Sequence, residues 1–200
     1  MQPPMNTRSA DDFQTPKSAL KPLLPYIKKN WTIWECAGGS GNLADELGRL
    51  SFKHITTDII YTDEEFPKKM RLDFLTEKQT SDYDCIITNP PYSKKGEFIK
   101  RAYELGKPFA FLMPLTILET DKRQSLFKKY GIEILLLKKR INFETPSGKG
   151  TGSWFATAWF CWKLLPKQIN YEADTESQGI LAQIPTLSKE DGLRHDHTNR

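Results

Sequence analysis

The chain has 200 residues, of which 38% are hydrophobic, 12% aromatic and 27% charged, as in a single globular domain with a sizeable core. No window approaches 18 consecutive apolar residues, so no membrane span is predicted, and the polar N-terminus does not resemble a secretory signal. The net charge of +4 is compatible with a nucleic-acid partner, although many enzymes carry as much. Cys36, Cys85 and Cys161 lie in strand-like runs without CxxC spacing, which favours buried thiols, no metal site and a cytoplasmic location.

Helical and strand-like segments alternate along most of the chain. Helices are predicted within 11–30 and at 42–50, 95–105 and 121–130, and strands at 31–36, 54–58, 83–88, 109–113, 132–137 and 154–164. The alternation predicts an α/β fold with a doubly wound, mostly parallel sheet, and the last two strands are candidates for an antiparallel pair. Residues 1–10 are predicted to be a flexible N-terminus, 11–165 the folded domain, and the polar segment 166–200 a mostly disordered tail.

A loop rich in small residues, Glu35-Cys36-Ala37-Gly38-Gly39-Ser40-Gly41-Asn42, follows the first predicted strand. Its glycines let the backbone turn tightly and approach a ligand closely, at the position where doubly wound folds bind nucleotide-like cofactors. The pattern is neither GxGxxG nor a P-loop. Glu35 is a poor neighbour for a phosphate but a good partner for an ammonium, which indicates a cofactor carrying an amino acid, such as S-adenosylmethionine. A purely structural turn is the alternative.

Two acids follow later strand-like runs. Asp58 ends the second strand about 20 residues after the loop, where an acid accepts hydrogen bonds from both ribose hydroxyls. Asp73 is placed to accept a hydrogen bond from an adenine amino group, with Phe74 packed on the ring. Acids at strand ends are common, so a structural role is open for each.

The tetrapeptide Asn89-Pro90-Pro91-Tyr92 follows the apolar run 83–88. The Asn89 side-chain oxygen and the Pro90 carbonyl are acceptors, the two prolines stiffen the turn, and Tyr92 can stack on a planar ring. Such a set suits an exocyclic amine whose nitrogen lone pair must face an electrophile. The alternative is an ordinary turn that ends a strand.

The order of these pieces resembles the S-adenosylmethionine-dependent amino-methyltransferases, and most closely a small, phage-like DNA adenine-N6 methyltransferase. The pieces are Phe13-Gln14-Thr15-Pro16, Glu35-x-Ala37-x-Gly39-x-Gly41, Asp58, Asp73-Phe74 and Asn89-Pro90-Pro91-Tyr92, so the resemblance covers roughly residues 11 to 165. It implies a seven-stranded Rossmann-like sheet with a reversed last strand. It also implies a cofactor site: Phe13 and Thr15 near the methionine end, Glu35 at its amino group, Ala37, Gly39 and Gly41 along it, Asp58 at the ribose, and Asp73 with Phe74 at the adenine.

The resemblance further implies the reaction, which is methyl transfer to the N6 amine of adenine in DNA. The target base would be flipped out of the helix at a cost of roughly a few kcal/mol. Tyr92 would stack on it while Asn89 and Pro90 hold the amine for a direct in-line transfer that needs no metal. Lys94, Lys95 and Lys149 are expected to contact phosphates, with a solvated surface as the alternative.

No segment is long enough for a separate target-recognition region, so selectivity is expected to be low or to need a recognition partner or a homo-oligomer. Protection against restriction is one compatible purpose. Alternatives in the same fold are an RNA base methyltransferase and a protein glutamine methyltransferase. A catalytically silent nucleic-acid-binding subunit of a methyltransferase complex is a third.

Overall fold

The computed structural model describes residues 14–59, 69–79, 81–143 and 155–173. These residues form one eight-stranded sheet, whose strands in chain order are β1 (Thr32–Glu35), β2 (Lys53–Asp58), β3 (Lys69–Arg71), β4 (Cys85–Thr88), β5 (Phe109–Pro114), β6 (Glu133–Leu136), β7 (Thr157–Trp162) and β8 (Ile169–Tyr171). The α-helices are α1 (Asn42–Arg49), α2 (Lys95–Leu105) and α3 (Asp121–Tyr130), and 3₁₀ helices span Lys17–Tyr26, Tyr92–Lys94 and Leu115–Leu118.

The sheet order is β3-β2-β1-β4-β5-β7-β6-β8. The first five strands in this order pair in parallel. Strand β7 lies between β5 and β6 and is antiparallel to both, whereas β8 is parallel to β6. The predicted α/β fold, with a mostly parallel sheet and a reversed late strand, is confirmed.

Strand β8 lies beyond the seven strands expected and inside the segment predicted to be a tail. The folded part therefore continues past Pro166, at least to Ala173, and the predicted boundary at 165 is too early. Only three residues form this strand and only Asn170 is buried, so the sequence has too little apolar alternation to reveal it. Residues 174–200 lie outside the described part.

The segment predicted as a helix within 11–30 is a 3₁₀ helix, Lys17–Tyr26. Pro22 and Pro25 lie inside it, and neither has an N–H to donate to a regular α-helical ladder. Pro16 precedes it as the N-cap, in extended conformation. Its apolar side chains Ala19, Leu20 and Leu23 are fully buried against the sheet. This packing stabilises the segment, because the two prolines leave its backbone with fewer hydrogen bonds.

Both faces of the sheet are covered, which explains why the central strands β4 and β5 are buried along their whole length. Side chains of β4 alternate between the two cores, with Cys85 and Ile87 in one and Ile86 in the other. The 3₁₀ helix and α1 cover the first face, while α2 and α3 cover the second. Among the helices in the described part of the chain, none has the length and apolarity needed to cross a bilayer.

Candidate active site

The carboxyl ends of the parallel strands meet at one edge of the sheet, where Glu35, Asp58 and Thr88 are the last residues of β1, β2 and β4. Two hydrogen bonds join them across strands. The Gly39 N–H donates to Asp58 Oδ2 at 2.8 Å, and the Thr88 hydroxyl donates to Glu35 Oε1 at 2.5 Å. The Gly-rich loop and the acid that ends β2, predicted to share a site, therefore lie in direct contact, and the tetrapeptide begins at the residue after Thr88.

The Gly-rich loop owes its shape to left-handed backbone at Gly39 (φ 47°) and Gly41 (φ 90°), a region that favours glycine. The Gly41 N–H donates to the Gly38 carbonyl at 2.7 Å, and the Gly38 N–H donates to the Thr57 carbonyl at 3.1 Å. Gly41 is also the N-cap of α1, and its carbonyl accepts from the Asp45 N–H. The loop is thus a tight turn fastened to the end of β2.

Gln14 lies over this loop, although the sequence indicated no role for it beyond its place beside Thr15. Its side-chain oxygen accepts from the Ser40 N–H at 2.8 Å and would lie 3.1 Å from a Cβ at Gly39. Thr15 is buried. The N-terminal motif is therefore brought to the Gly-rich loop, although Phe13, predicted to belong to the same site, lies outside the described residues.

Glu35 and Thr88 form a buried polar pair, at 1% and 0% exposure. A carboxylate so far from water needs hydrogen bonds and a counter-charge to remain ionised. Burial first, and then the neighbouring Glu35 carboxylate, raises the pKa of the Cys36 thiol, so Cys36 is protonated and carries no competing charge. No role for Thr88 was predicted from the sequence. The sequence feature that could have indicated one is that Thr88 is a polar residue at the end of an apolar strand, directly before the tetrapeptide.

The tetrapeptide leaves β4 as a rigid turn, with Pro91 at φ −58° and ψ 125°, and Tyr92 opens a 3₁₀ turn. The Tyr92 side chain is buried and packs edge-on against Phe143 and Phe155, at ring-centroid distances of 6.2 and 5.6 Å. Burial raises the pKa of Tyr92, so its phenol keeps its proton. We call Tyr92, Phe143 and Phe155 the aromatic wall.

The aromatic wall was not predicted beyond Tyr92. Phe143 and Phe155 are the described residues on either side of 144–154, a segment whose sequence is Gly-rich at 146–152. The sequence feature that could have indicated these two contacts is a pair of aromatic residues on either side of a loop of small residues. Their partner Tyr92 lies more than 50 positions earlier in the sequence. Tyr92 thus stands in a packed aromatic cluster at the edge of the first core and is held there from two sides.

Asp73 and Phe74 have structural contacts at the turn after β3. Asp73 Oδ1 accepts from the Leu75 N–H at 2.9 Å, and Oδ2 accepts from the Thr76 hydroxyl at 3.0 Å. Phe74 is 2% exposed, stacked on Phe98 with ring centroids 4.8 Å apart and tilted against Trp34 at 5.3 Å. A part for either residue in adenine binding stays a prediction.

The three lysines predicted to contact phosphates differ in their surroundings. Lys94 is exposed at the end of the 3₁₀ turn. Lys95 is half-buried and its ammonium donates to the Tyr92 carbonyl at 3.1 Å, so it braces the turn after the tetrapeptide. Lys149 lies outside the described residues.

No model of a known protein family matches the chain, and no curated protein matches it. Similar solved structures include a Pyrococcus horikoshii protein assigned as an RNA methyltransferase, with 19% identity and a TM-score of 0.55 over 78% of this chain and 89% of that one. The 23S rRNA methyltransferase ErmE has 13% identity and a TM-score of 0.55 over 78% and 70%. A dimethyladenosine transferase from Plasmodium falciparum has 15% identity and a TM-score of 0.51 over 78% and 63%. The described part of the chain therefore has a Rossmann-like fold of the kind found in methyltransferases.

Proposed function

We propose that this protein is an S-adenosylmethionine-dependent methyltransferase that modifies the N6 amine of adenine in DNA. The observation that carries the proposal is the Glu35–Thr88 hydrogen bond. It joins the acid suited to an amino-acid cofactor to the strand that ends in Asn89-Pro90-Pro91-Tyr92. The fold shared with proteins named as methyltransferases supports methyl transfer as the reaction.

The residues present fit S-adenosylmethionine. Glu35 is a buried carboxylate, for which the cofactor's ammonium is a suitable counter-charge. Gly39 and Gly41 add no side chains to the loop, and Asp58, half-exposed at the end of β2, would be placed for ribose hydroxyls. When bound, this cofactor supplies an electrophilic methyl group on a sulfonium.

The tetrapeptide would hold the acceptor. The Asn89 side-chain oxygen and the Pro90 carbonyl would accept both amine hydrogens, which turns the nitrogen lone pair outwards and supports the positive charge that develops there. Tyr92, fixed by Phe143 and Phe155, would give the flipped base a rigid aromatic boundary. Catalysis would then rest on positioning, which can supply a large share of a transfer barrier.

An adenine in RNA is the second candidate acceptor. Two of the similar proteins are named as a dimethyladenosine transferase and a 23S rRNA methyltransferase, and the third is assigned as an RNA methyltransferase. The chemistry at the amine would be the same, because in the proposed roles Asn89 and Pro90 would contact the base and not the sugar. The acceptor therefore has to be decided by experiment.

The deciding experiment is transfer from labelled S-adenosylmethionine to unmethylated duplex DNA, single-stranded DNA and RNA, followed by nuclease digestion and mass spectrometry. N6-methyladenine from DNA supports the proposal, and the same product from RNA alone would assign the second candidate. Cofactor binding without a methylated nucleoside from any acceptor would contradict both. It would favour a protein acceptor or a silent subunit.

Asn89→Ala is the matching variant. Loss of one positioned acceptor at the reacting amine should lower transfer by about 10²-fold or more, by analogy with removal of one oxyanion-hole donor. Affinity for the cofactor, measured by calorimetry, should stay within about twofold. Asp58→Ala should behave in the opposite way, with weakened cofactor binding. If Asn89→Ala loses cofactor binding, the assigned roles are wrong.

A further inference from the structure

Strand β8 carries an exposed aromatic side chain at the same edge of the sheet as the candidate active site. Leu136, the last residue of β6, pairs with Tyr171, and the Glu172 N–H donates to the Leu136 carbonyl at 2.9 Å. Tyr171 is 72% exposed, the highest among the exposed large hydrophobic residues of the described part. Because β8 is parallel to β6, and β6 to β5, Tyr171 lies at the carboxyl edge of the sheet.

Three consecutive cations, Lys138, Lys139 and Arg140, follow β6 beside this residue, and all three are exposed. Lys138 is built into the end of β8: its N–H donates to a Glu172 carboxylate oxygen at 3.0 Å and its ammonium to the Ala173 carbonyl at 3.0 Å. Residues 137–143 and 169–173 together contain three cationic side chains and one acidic side chain. The surface is therefore basic and its aromatic residue is held by the sheet.

This surface continues into the candidate active site. Phe143, three residues after Arg140, contacts Tyr92 in the aromatic wall. The path runs from Tyr171 through Lys138, Lys139 and Arg140 to the tetrapeptide along one edge of the sheet. A charged run interleaved with an exposed ring, leading to a site for a single base, matches the way proteins track a nucleic-acid strand.

We propose that Tyr171 and the run Lys138–Arg140, which we call the β8 platform, bind the acceptor nucleic-acid strand at some distance from the target base. Tyr171 stacks on a base and Lys139 contacts the phosphates. The proposal deepens the proposed function, on which it rests, by assigning part of the acceptor-binding surface to a strand outside the expected seven.

The sheet sets the reach of this platform. Four inter-strand steps separate β4, which ends at the tetrapeptide, from β8, and at ~4.8 Å each they span ~19 Å. At ~3.4 Å per nucleotide of a stacked strand, this is about six nucleotides from the target. Contacts with Tyr171 therefore require a strand that extends at least that far on one side of the target base.

The test uses the full chain and fluorescein-labelled oligonucleotides with one adenine, with affinity measured by anisotropy. Tyr171→Ala should weaken binding of a strand of about 20 nucleotides by about 5- to 150-fold, the effect of losing one stacked base. Tyr171→Phe should bind as the native chain does. Ile169→Ala is the matched control, because Ile169 lies two residues earlier on the same face of β8 and is 51% exposed without a ring to stack.

Two further comparisons sharpen the result. Lys139→Ala should lower the slope of log affinity against log salt by about one, whereas Lys128→Ala, an exposed lysine on α3 near the opposite edge, should leave it unchanged. The Tyr171→Ala defect should disappear with oligonucleotides of about three nucleotides on each side of the target.

Equal affinity of Tyr171→Ala and the native chain for the long strand would overturn the proposal, even if methyl transfer is intact. An effect of Tyr171→Ala on self-association, without one on oligonucleotide affinity, would also overturn it and assign the β8 edge to a contact between copies. Binding is measured without turnover, so a chain that binds through Tyr171 but transfers no methyl group contradicts only the proposed function.

Discussion

Replacement of Thr88 by valine tests the buried polar pair on which the candidate active site depends. Thr88 is fully buried, and its hydroxyl donates to Glu35 Oε1 at 2.5 Å across 53 positions of sequence. Valine keeps the shape of the side chain but removes the donor, and Glu35, at 1% exposure, has little access to solvent that could replace it. Hydrogen bonds to charged groups contribute about 1.5–3 kcal/mol, so the free energy of unfolding should fall by about that amount.

The measurement is urea-induced unfolding, with the m-value expected to be unchanged. For a chain of this size the melting temperature should drop by about 3–12 °C. Thr157→Val is the matched control: Thr157 is 6% exposed, and its hydroxyl has no hydrogen-bond partner among the described residues. That change should be neutral within about 0.5 kcal/mol or stabilising. If Thr88→Val costs no more than Thr157→Val, Glu35 does not depend on this hydrogen bond and the argument for a held carboxylate fails.

Two further predictions concern the Gly-rich loop and the thiols. Gly39→Ala and Gly106→Ala both place a side chain at positive φ and should each cost about 1–2 kcal/mol, but only the first brings a Cβ within 3.1 Å of Gln14 and should also weaken cofactor binding in calorimetry. Equal binding by both variants would contradict a role for this loop. Burial raises the pKa of all three thiols above the ordinary 9.0. A thiol reagent at about pH 8 should therefore modify none of them in the native chain and all three in denaturant. The thiols contribute fully to stability below their pKa in the unfolded state, and this contribution is lost as the pH rises towards their higher pKa in the folded state. The urea concentration at the midpoint of unfolding should therefore fall above about pH 9, and an unchanged midpoint at alkaline pH would refute this.

Local signals were enough to predict the elements that carry the fold. Helices α2 and α3 have the predicted bounds because a glycine at positive φ, Gly106 or Gly131, follows each of them and marks the stop. Strand ends were less certain. Strand β1 spans Thr32–Glu35 where 31–36 was expected, because the pairing partner and not the apolar run decides where a ladder stops.

Contacts between distant segments could not be predicted in the same way. The pairing of Glu35 with Thr88 and of Gln14 with Ser40 depends on strand order, and no spacing in the sequence encodes which strand lies beside which. The ring contacts of Phe74 show the same limit, because its packing on Phe98 and Trp34 in the second core joins segments that lie far apart in the sequence.

The position of Thr88 has a consequence for the proposed transfer, because this residue joins the two halves of the candidate active site. Its strand is paired on both sides, with β1 and β5, so the residue cannot shift without breaking the centre of the sheet. Its side chain is hydrogen-bonded to Glu35, and the tetrapeptide begins at the next residue, Asn89. For a direct transfer whose rate depends on the alignment of two reactants, such a junction would hold the cofactor's amino-acid end and the acceptor amine in one rigid frame. Catalytic geometry would then be determined by the folded sheet before either ligand binds, and changes in Thr88 should reduce transfer more than they reduce the affinity for either ligand alone.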